Sequence, residues 1–253
     1  MSAGRGVASR PTVGHDAAMT DPAATIMLVH GAWHGSWCWE PVRERLHDLG
    51  IATAAVENPS VTTPGSDLHA DGDNLRAALD ATPGPVVLVG HSYGGAVITD
   101  AGAHPNVARL VYLTAFALDA GESLMQNDLA GGEDMKLVDA ILFDGDVASV
   151  EPSRIVEFFY HDCPPDVAAE AMARLRPMSV AAMGGVPRSV AWRDVPSTYV
   201  VCTDDRAIPV ALQRSCAARI GEVVELPTSH SPFLSRPDDL ARLLAGFATA
   251  EAR

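Results

Sequence analysis

Lysine is almost missing from this chain. Lys136 is the only one in 253 residues, and 18 basic residues stand against 32 acidic ones for a formal net charge of −14. Phosphate backbones are gripped by clustered Lys and Arg, so this balance argues against nucleic acid as a partner. No apolar run reaches the ~18 residues of a membrane-spanning helix, and no membrane partner is expected. The first 24 residues also lack the apolar run of ~7–15 residues that marks a secretory signal. They are read as a flexible extension, residues 1–24, outside the folded unit, and the expected compartment is the cytoplasm. Cysteine is sparse too: Cys38, Cys163, Cys202 and Cys216 stand far apart with no CxxC spacing. That pattern excludes a zinc site and makes unbridged, buried thiols the expectation. With 47% hydrophobic and 20% charged residues the composition is that of an ordinary globular protein, large enough for one α/β domain.

From residue 25 onward short β-branched runs alternate with longer helical stretches, as strand–helix–strand units around a parallel sheet require. Strands are expected at 26–30, 51–56, 86–89, 107–114, 197–203 and 223–226, and helices at 39–49, 68–79, 94–103, 210–219 and 238–248. Val86 to Val89 is wholly apolar, which places it centrally in the sheet. Residues 117–190 break the rhythm. They offer amphipathic pieces at 135–143, 153–160 and 165–175, and are read as a helical lid inserted between core segments 25–116 and 191–253.

The chemistry centres on Gly90-His91-Ser92-Tyr93-Gly94, which follows the strand VVLV and precedes a helix. That setting is what a nucleophile elbow needs: a strained turn projects the serine hydroxyl, and glycines let strand and helix close on it. A serine needs a general base held by a carboxylate, in the chain order Ser, acid, His. His230, in the loop after the strand ending at Leu226, is the expected base, and His161 is assigned to the lid. Asp204 and Asp205 follow the strand ending near Thr203; Asp205 is preferred as the orienting acid, and Asp119 is a further candidate. The oxyanion hole is expected from the N–H groups of Ala32, after the first strand, and Tyr93, after the serine. His30 and His34 are expected to organise the loop they share rather than bind a metal.

The segments HGAWHGSWCWEPV (30–42), GHSYGG (90–95), FYHDCPPDVAAEAMARLRP (159–177), VVCTDDRAIPVALQ (200–213) and SHSPFLSRPDDLARLL (229–244) resemble one group of the α/β-hydrolase superfamily. The group comprises methyl-ester esterases and hydroxynitrile lyases, including plant methyl salicylate and methyl jasmonate esterases and bacterial relatives. The resemblance covers residues 25–248. It implies an α/β-hydrolase fold, with a mostly parallel central sheet, helices on both faces and an inserted helical lid. It places the nucleophile on Ser92, the acid on Asp205, the base on His230 and the oxyanion donors on Ala32 and Tyr93. Hydroxynitrile lyases of the group carry a threonine where this chain has Gly31 and a lysine where it has Ser231. Cyanide departure needs a nearby cation, so lyase activity is not expected.

The expectation is a serine carboxylesterase that works through an acyl-enzyme without metal or organic cofactor. Its expected partner is a small to medium apolar ester, with Trp33, Phe116, Met125, Phe158, Phe159, Met178 and Phe233 as wall residues. The rival enzymes keep the triad for lactone, thioester or amide cleavage, for cyclisation, or for lyase or cofactor-independent oxygen chemistry. A non-catalytic ligand-binding homologue is the rival from another class. Monomer and homodimer both stay open.

Overall fold

A computed structural model describes Met1 and residues 23–126 and 135–251. The extension expected over residues 1–24 therefore lies almost wholly outside the described residues. Six parallel strands form the central sheet in the order β2-β1-β3-β4-β8-β9: β1 Thr25–Val29, β2 Thr53–Val56, β3 Val86–His91, β4 Val107–Leu113, β8 Ser197–Cys202 and β9 Glu222–Leu226. Between β4 and β8 the chain adds three short strands, β5 Ile141–Asp144, β6 Val147–Val150 and β7 Met178–Ser179, which pair antiparallel as a separate sheet.

The helices are α1 Glu40–Asp48, α2 Leu68–Asp80, α3 Gly94–Ala101, α4 Pro165–Arg174, α5 Val180–Met183, α6 Val210–Ile220, α7 Pro232–Ser235 and α8 Pro237–Ala250. Local chemistry sets their starts. The Asp67 carboxylate accepts the Ala70 N–H at 2.9 Å to cap α2. Asp238 and Asp239 place negative charge in the first turn of α8, where the helix dipole favours it.

The inner strands β1, β3, β4 and β8 are largely buried because helices cover both faces, whereas the edge strands β2 and β9 are more open. In β1, Ile26 and Leu28 face the layer of α1 and α8, joined there by Val87, Val89, Val111 and Leu113. Met27 and Val29 point the other way, into the core shared with Leu75, Ile98, Tyr112 and Tyr199. Among the described residues, no helix is long and apolar enough to cross a membrane.

The inserted segment departs from the helical lid expected for it. The stretch 135–143 is not an α-helix: a 3-10 turn at Val138–Ala140 leads into β5, which returns as β6. The reason lies in Asp144-Gly145-Asp146, a hairpin turn with Gly145 at φ 58°, between β-favouring Ile-Leu-Phe and Val-Ala-Ser-Val. Residues 152–160 are helical, but as a 3-10 turn and a π-helix, and α4 alone is a regular α-helix where one was expected. Trp192 Nε1–H donates to the Leu118 carbonyl at 2.9 Å, joining the two ends of the insertion. The buried Asp100 of α3 accepts hydrogen bonds from Arg76 of α2 and from Arg188, so one carboxylate ties the insertion's return to the main body.

Candidate active site

The strand order reverses direction between β1 and β3: β2 flanks β1 on one side, and the rest of the sheet grows on the other. Ligand sites in open parallel sheets form at such a reversal, outside the carboxyl ends of the strands. Here the loop Gly31–His34 leaves β1 and Ser92 leaves β3, so topology alone sets them side by side. The approach is close enough to demand glycine. A Cβ on Gly31 would stand 2.8 Å from both Ser92 Cβ and His91 Nδ1, and one on Gly94 would stand 2.5 Å from the Val29 carbonyl oxygen.

Ser92 has φ 53°, the left-handed conformation expected of an elbow and costly for a residue with a side chain. Its carbonyl accepts the Gly95 and Phe116 N–H groups at 3.0 and 3.2 Å, which hold the strained turn from the helix side and the β4 side. Tyr93 begins α3, so its N–H belongs to the positive end of that helix. Ser92, Tyr93, Ala32, Trp33 and Phe116 border one small cavity of about 20 Å³, closed by Leu124, Met135, Leu137, Val138, Ile141 and Ile208.

The loops that carry Asp205 and His230 follow β8 and β9, and the geometry separates the aspartates that the sequence offers. Asp205 is buried, and its Oδ2 accepts His230 Nδ1–H at 2.7 Å. Its Oδ1 takes the N–H groups of Ala207 and Ile208 at 2.7 and 2.9 Å. Asp204 is exposed, and Asp119 pairs with Arg193 across the insertion. A carboxylate only accepts, so His230 donates from Nδ1. His161 lies beyond the π-helix, with its Nδ1 buried and unpartnered.

Several supporting contacts were invisible in the sequence. Thr114, at the end of β4, donates its hydroxyl to the same Asp205 Oδ2 that holds His230. Its φ of 39° is an outlier for a β-branched residue. His91 Nε2–H donates to the His230 carbonyl at 2.8 Å, tying the elbow to the base loop. Burial, with His230 beside it, holds His91 far below the usual histidine range. The Tyr93 hydroxyl donates at 2.6 Å to buried Asp71, which also accepts the Ser60 N–H at 2.8 Å. Asp162 accepts the Ser229 N–H at 2.9 Å and the Ser229 hydroxyl, gripping the residue before His230. Of these residues, Thr114, Asp71 and Ser60 stand in none of the motif segments. The β4 end and α2 come to the site only through the fold.

His30 and His34 bond carbonyls of their own loop and tie it to neighbouring segments. The His30 ring accepts the Asn58 N–H at 3.0 Å and bonds the Gly31 carbonyl at 2.8 Å. His34 bonds the Ala32 carbonyl at 2.9 Å and accepts from the Tyr160 hydroxyl at 2.8 Å. Burial lowers His30 to about 4 and His34 to about 3, so both are neutral near pH 7. Among the described residues, no group of three or more His, Cys, Asp or Glu is arranged to hold a metal ion.

Of the expected wall residues, Trp33 and Phe116 border the cavity and the other five do not. Phe233 packs 5.0 Å from Trp39 and 4.8 Å from His91, in the core under α1 and α8, because α7 turns inward directly after His230. Phe158 is buried beneath the Arg154 guanidinium, Met178 pairs with Ala148 in the small sheet, and Met125 is exposed. Phe159 stands behind the cavity, its ring 5.9 Å from Trp33 and 5.5 Å from His230. The unexpected walls, Leu137, Val138 and Ile141, come from the stretch that forms a turn and strand instead of a helix.

Comparison with known proteins agrees with this architecture. The chain is 31% identical over 251 residues to a pyrethroid hydrolase of Sphingobium wenxiniae, covering 90% of this chain and 88% of that one. It is 27% identical over 254 residues to methylesterase 18 of Arabidopsis thaliana, covering 88% and 97%. A crystal structure of a pyrethroid hydrolase superposes with a TM-score of 0.79 at 27% identity, covering 91% of this chain and 99% of that one. The model of the alpha/beta hydrolase family matches residues 26–243, and with the sheet order and the elbow already described, the chain belongs to that family.

Proposed function

We propose that the protein is a serine carboxylesterase in which Ser92 is the nucleophile, His230 the general base, Asp205 the acid that orients it, and the N–H groups of Ala32 and Tyr93 the oxyanion donors. The observation that carries this reading is the pairing of two arrangements. A left-handed serine shares a cavity with both donor residues, and a buried Asp205 carboxylate holds the His230 ring by Nδ1. His230 Nε2 takes the Ser92 proton as Oγ attacks the ester carbonyl, and Asp205 stabilises the imidazolium. The same proton then goes to the departing alcohol. Water repeats the sequence on the acyl-enzyme and frees the acid. Asp71, through the Tyr93 hydroxyl, and His34, through the Ala32 carbonyl, steady the two oxyanion donors.

The cavity walls are apolar, so the substrate is an uncharged carboxylic ester, and pyrethroid hydrolase and methylesterase relatives support that class. Residues 117–190 serve as the lid over it. Four free thiols suit a reducing compartment, which supports a cytoplasmic site of action. Lyase chemistry is disfavoured by the residue after His230, which is the buried, uncharged Ser231, and by Gly31, where a threonine would collide with Ser92. A fluorophosphonate should label Ser92, and Ser92→Ala should abolish both labelling and hydrolysis of p-nitrophenyl esters. Cleavage of mandelonitrile without ester hydrolysis, or full activity in Ser92→Ala, would overturn the reading.

A further inference from the structure

Trp33 borders two spaces. One is the cavity at Ser92; the other is a pocket of about 340 Å³ walled by Val150, Pro152, Ile155, Met172 and Leu175 of the insertion. Their sizes differ in a way that matters. At about 20 Å³ the first has room for roughly one water molecule, whereas the second falls within the ~300–1,000 Å³ of small-molecule sites. An ester held with its carbonyl at Ser92 and Ala32 must send its larger substituent elsewhere, and Trp33, the residue after Ala32, is a wall that both spaces share.

Trp33 is fixed from several directions. Its indole N–H donates to the Ala148 carbonyl at 3.0 Å, its ring stacks at 5.9 Å on Phe159, and its own carbonyl accepts the Arg176 N–H at 2.9 Å. The backbone at Trp33 is left-handed, with φ 62°, immediately after the oxyanion residue Ala32. One residue thus forms the boundary of both spaces and is continuous with the catalytic loop. The pocket lining also defines its occupant. Its walls are apolar, and its one charged group, Arg176, is already engaged by Glu57, so no free charge invites an ionic ligand.

We propose that this pocket is a second substrate subsite, which takes an uncharged alkyl or aryl substituent of the ester whose carbonyl lies at Ser92, the arm passing along Trp33, the wall that the two spaces share. The proposal rests on the carboxylesterase reading and adds a substrate class to it: esters with one extended apolar arm. Each methylene that enters the pocket should tighten binding roughly fourfold until the space is filled. Either the acyl or the alcohol side could supply the arm, since both are apolar chains attached to the same carbonyl group.

The test uses binding, so that it does not depend on turnover. The Ser92→Ala protein is titrated calorimetrically with two ester series, one lengthened from butyl to octyl on the alcohol side and one from butanoyl to decanoyl on the acyl side. Affinity should rise with length in one series, which identifies the arm. Ala173 is exposed on α4 and borders the pocket, so Ala173→Trp fills the space at little risk to the fold. It should weaken binding of the longest ester at least tenfold relative to the shortest. In the active enzyme Trp33→Ala, which removes the shared wall and widens the way past it, should raise kcat/KM for bulky esters relative to methyl esters. Equal length dependence with and without Ala173→Trp, or none in either series, overturns the subsite. Binding with no hydrolysis by the unsubstituted protein would instead overturn the esterase reading and leave the subsite standing.

Discussion

Replacing Asp205 by asparagine separates the proposed acid from its neighbours by chemistry rather than by size. The amide has the shape of the carboxylate but one face that donates. Two N–H groups, from Ala207 and Ile208 at 2.7 and 2.9 Å, point at Oδ1 and oblige the amide oxygen to stay there. The amide NH2 then occupies the place of Oδ2, facing the Thr114 hydroxyl and His230 Nδ1. Nδ1 must change from donor to acceptor, which moves the histidine proton to Nε2, the nitrogen that has to accept the serine proton. The base is lost while the fold keeps most of its contacts. By analogy with other triads, kcat should fall about 10⁴-fold, or ~5.5 kcal/mol of barrier, with KM little changed. Stability should drop by only ~1–3 kcal/mol, the cost of one badly matched buried hydrogen bond. Initial rates on p-nitrophenyl butyrate, measured beside urea unfolding curves, read both quantities. Asp204→Asn and Asp119→Asn, run in parallel, should keep nearly full activity. A loss below about tenfold in Asp205→Asn, or an equal loss in Asp204→Asn, would refute the reasoning.

Thr114→Val keeps the side-chain shape but removes a donor from a charged oxygen, so it should cost ~1.5–3 kcal/mol of stability and lower kcat with KM unchanged, because Thr114 does not border the cavity; Thr114→Ser should restore kcat, and a change confined to KM would contradict this. The buried histidines make the protein acid-sensitive. His30 titrates at about 4 and His34 at about 3 when folded, against ~6.5 in the unfolded chain, so the unfolded state binds more protons as pH falls through that window. Stability present above ~6.5 should be lost on acidification at ~1.4 kcal/mol per pH unit for each histidine, as urea midpoints between pH 7 and 5 will show. His30→Gln should make that slope shallower, and a flat profile would mean that these rings are not buried neutral.

The core strands were legible because they are buried on both sides, so apolar runs bounded by Gly, Pro and Asp mark them with no need of context. The turn that carries Ser92 and the loop that carries His230 were legible for a related reason: a strand–turn–helix and a post-strand loop are local in sequence. The insertion was harder. Met135 to Phe143 carries apolar residues at spacings that suit a short helix as well as a strand, and the hairpin turn at Asp144-Gly145 decided between them. Five of the seven expected wall residues lie away from the cavity for a similar reason, since a hydrophobic residue in a loop looks the same whether it faces a ligand or the core. Phe233 faces the core, and Ile141 faces the cavity.

What the sequence by itself determined is the chemistry available: a serine on a glycine-flanked turn, a histidine after the last strand, two aspartates in tandem, and an excess of acidic over basic residues. What the tertiary structure decided is which of these groups meet. Asp205 rather than Asp204 reaches His230 because of the direction in which the chain turns after β8, and Thr114 and Asp71 arrive from elements 91 and 22 residues away from the groups they bond. Hydrogen bonds act over ~3 Å, and only folding brings residues so distant in the chain to that range.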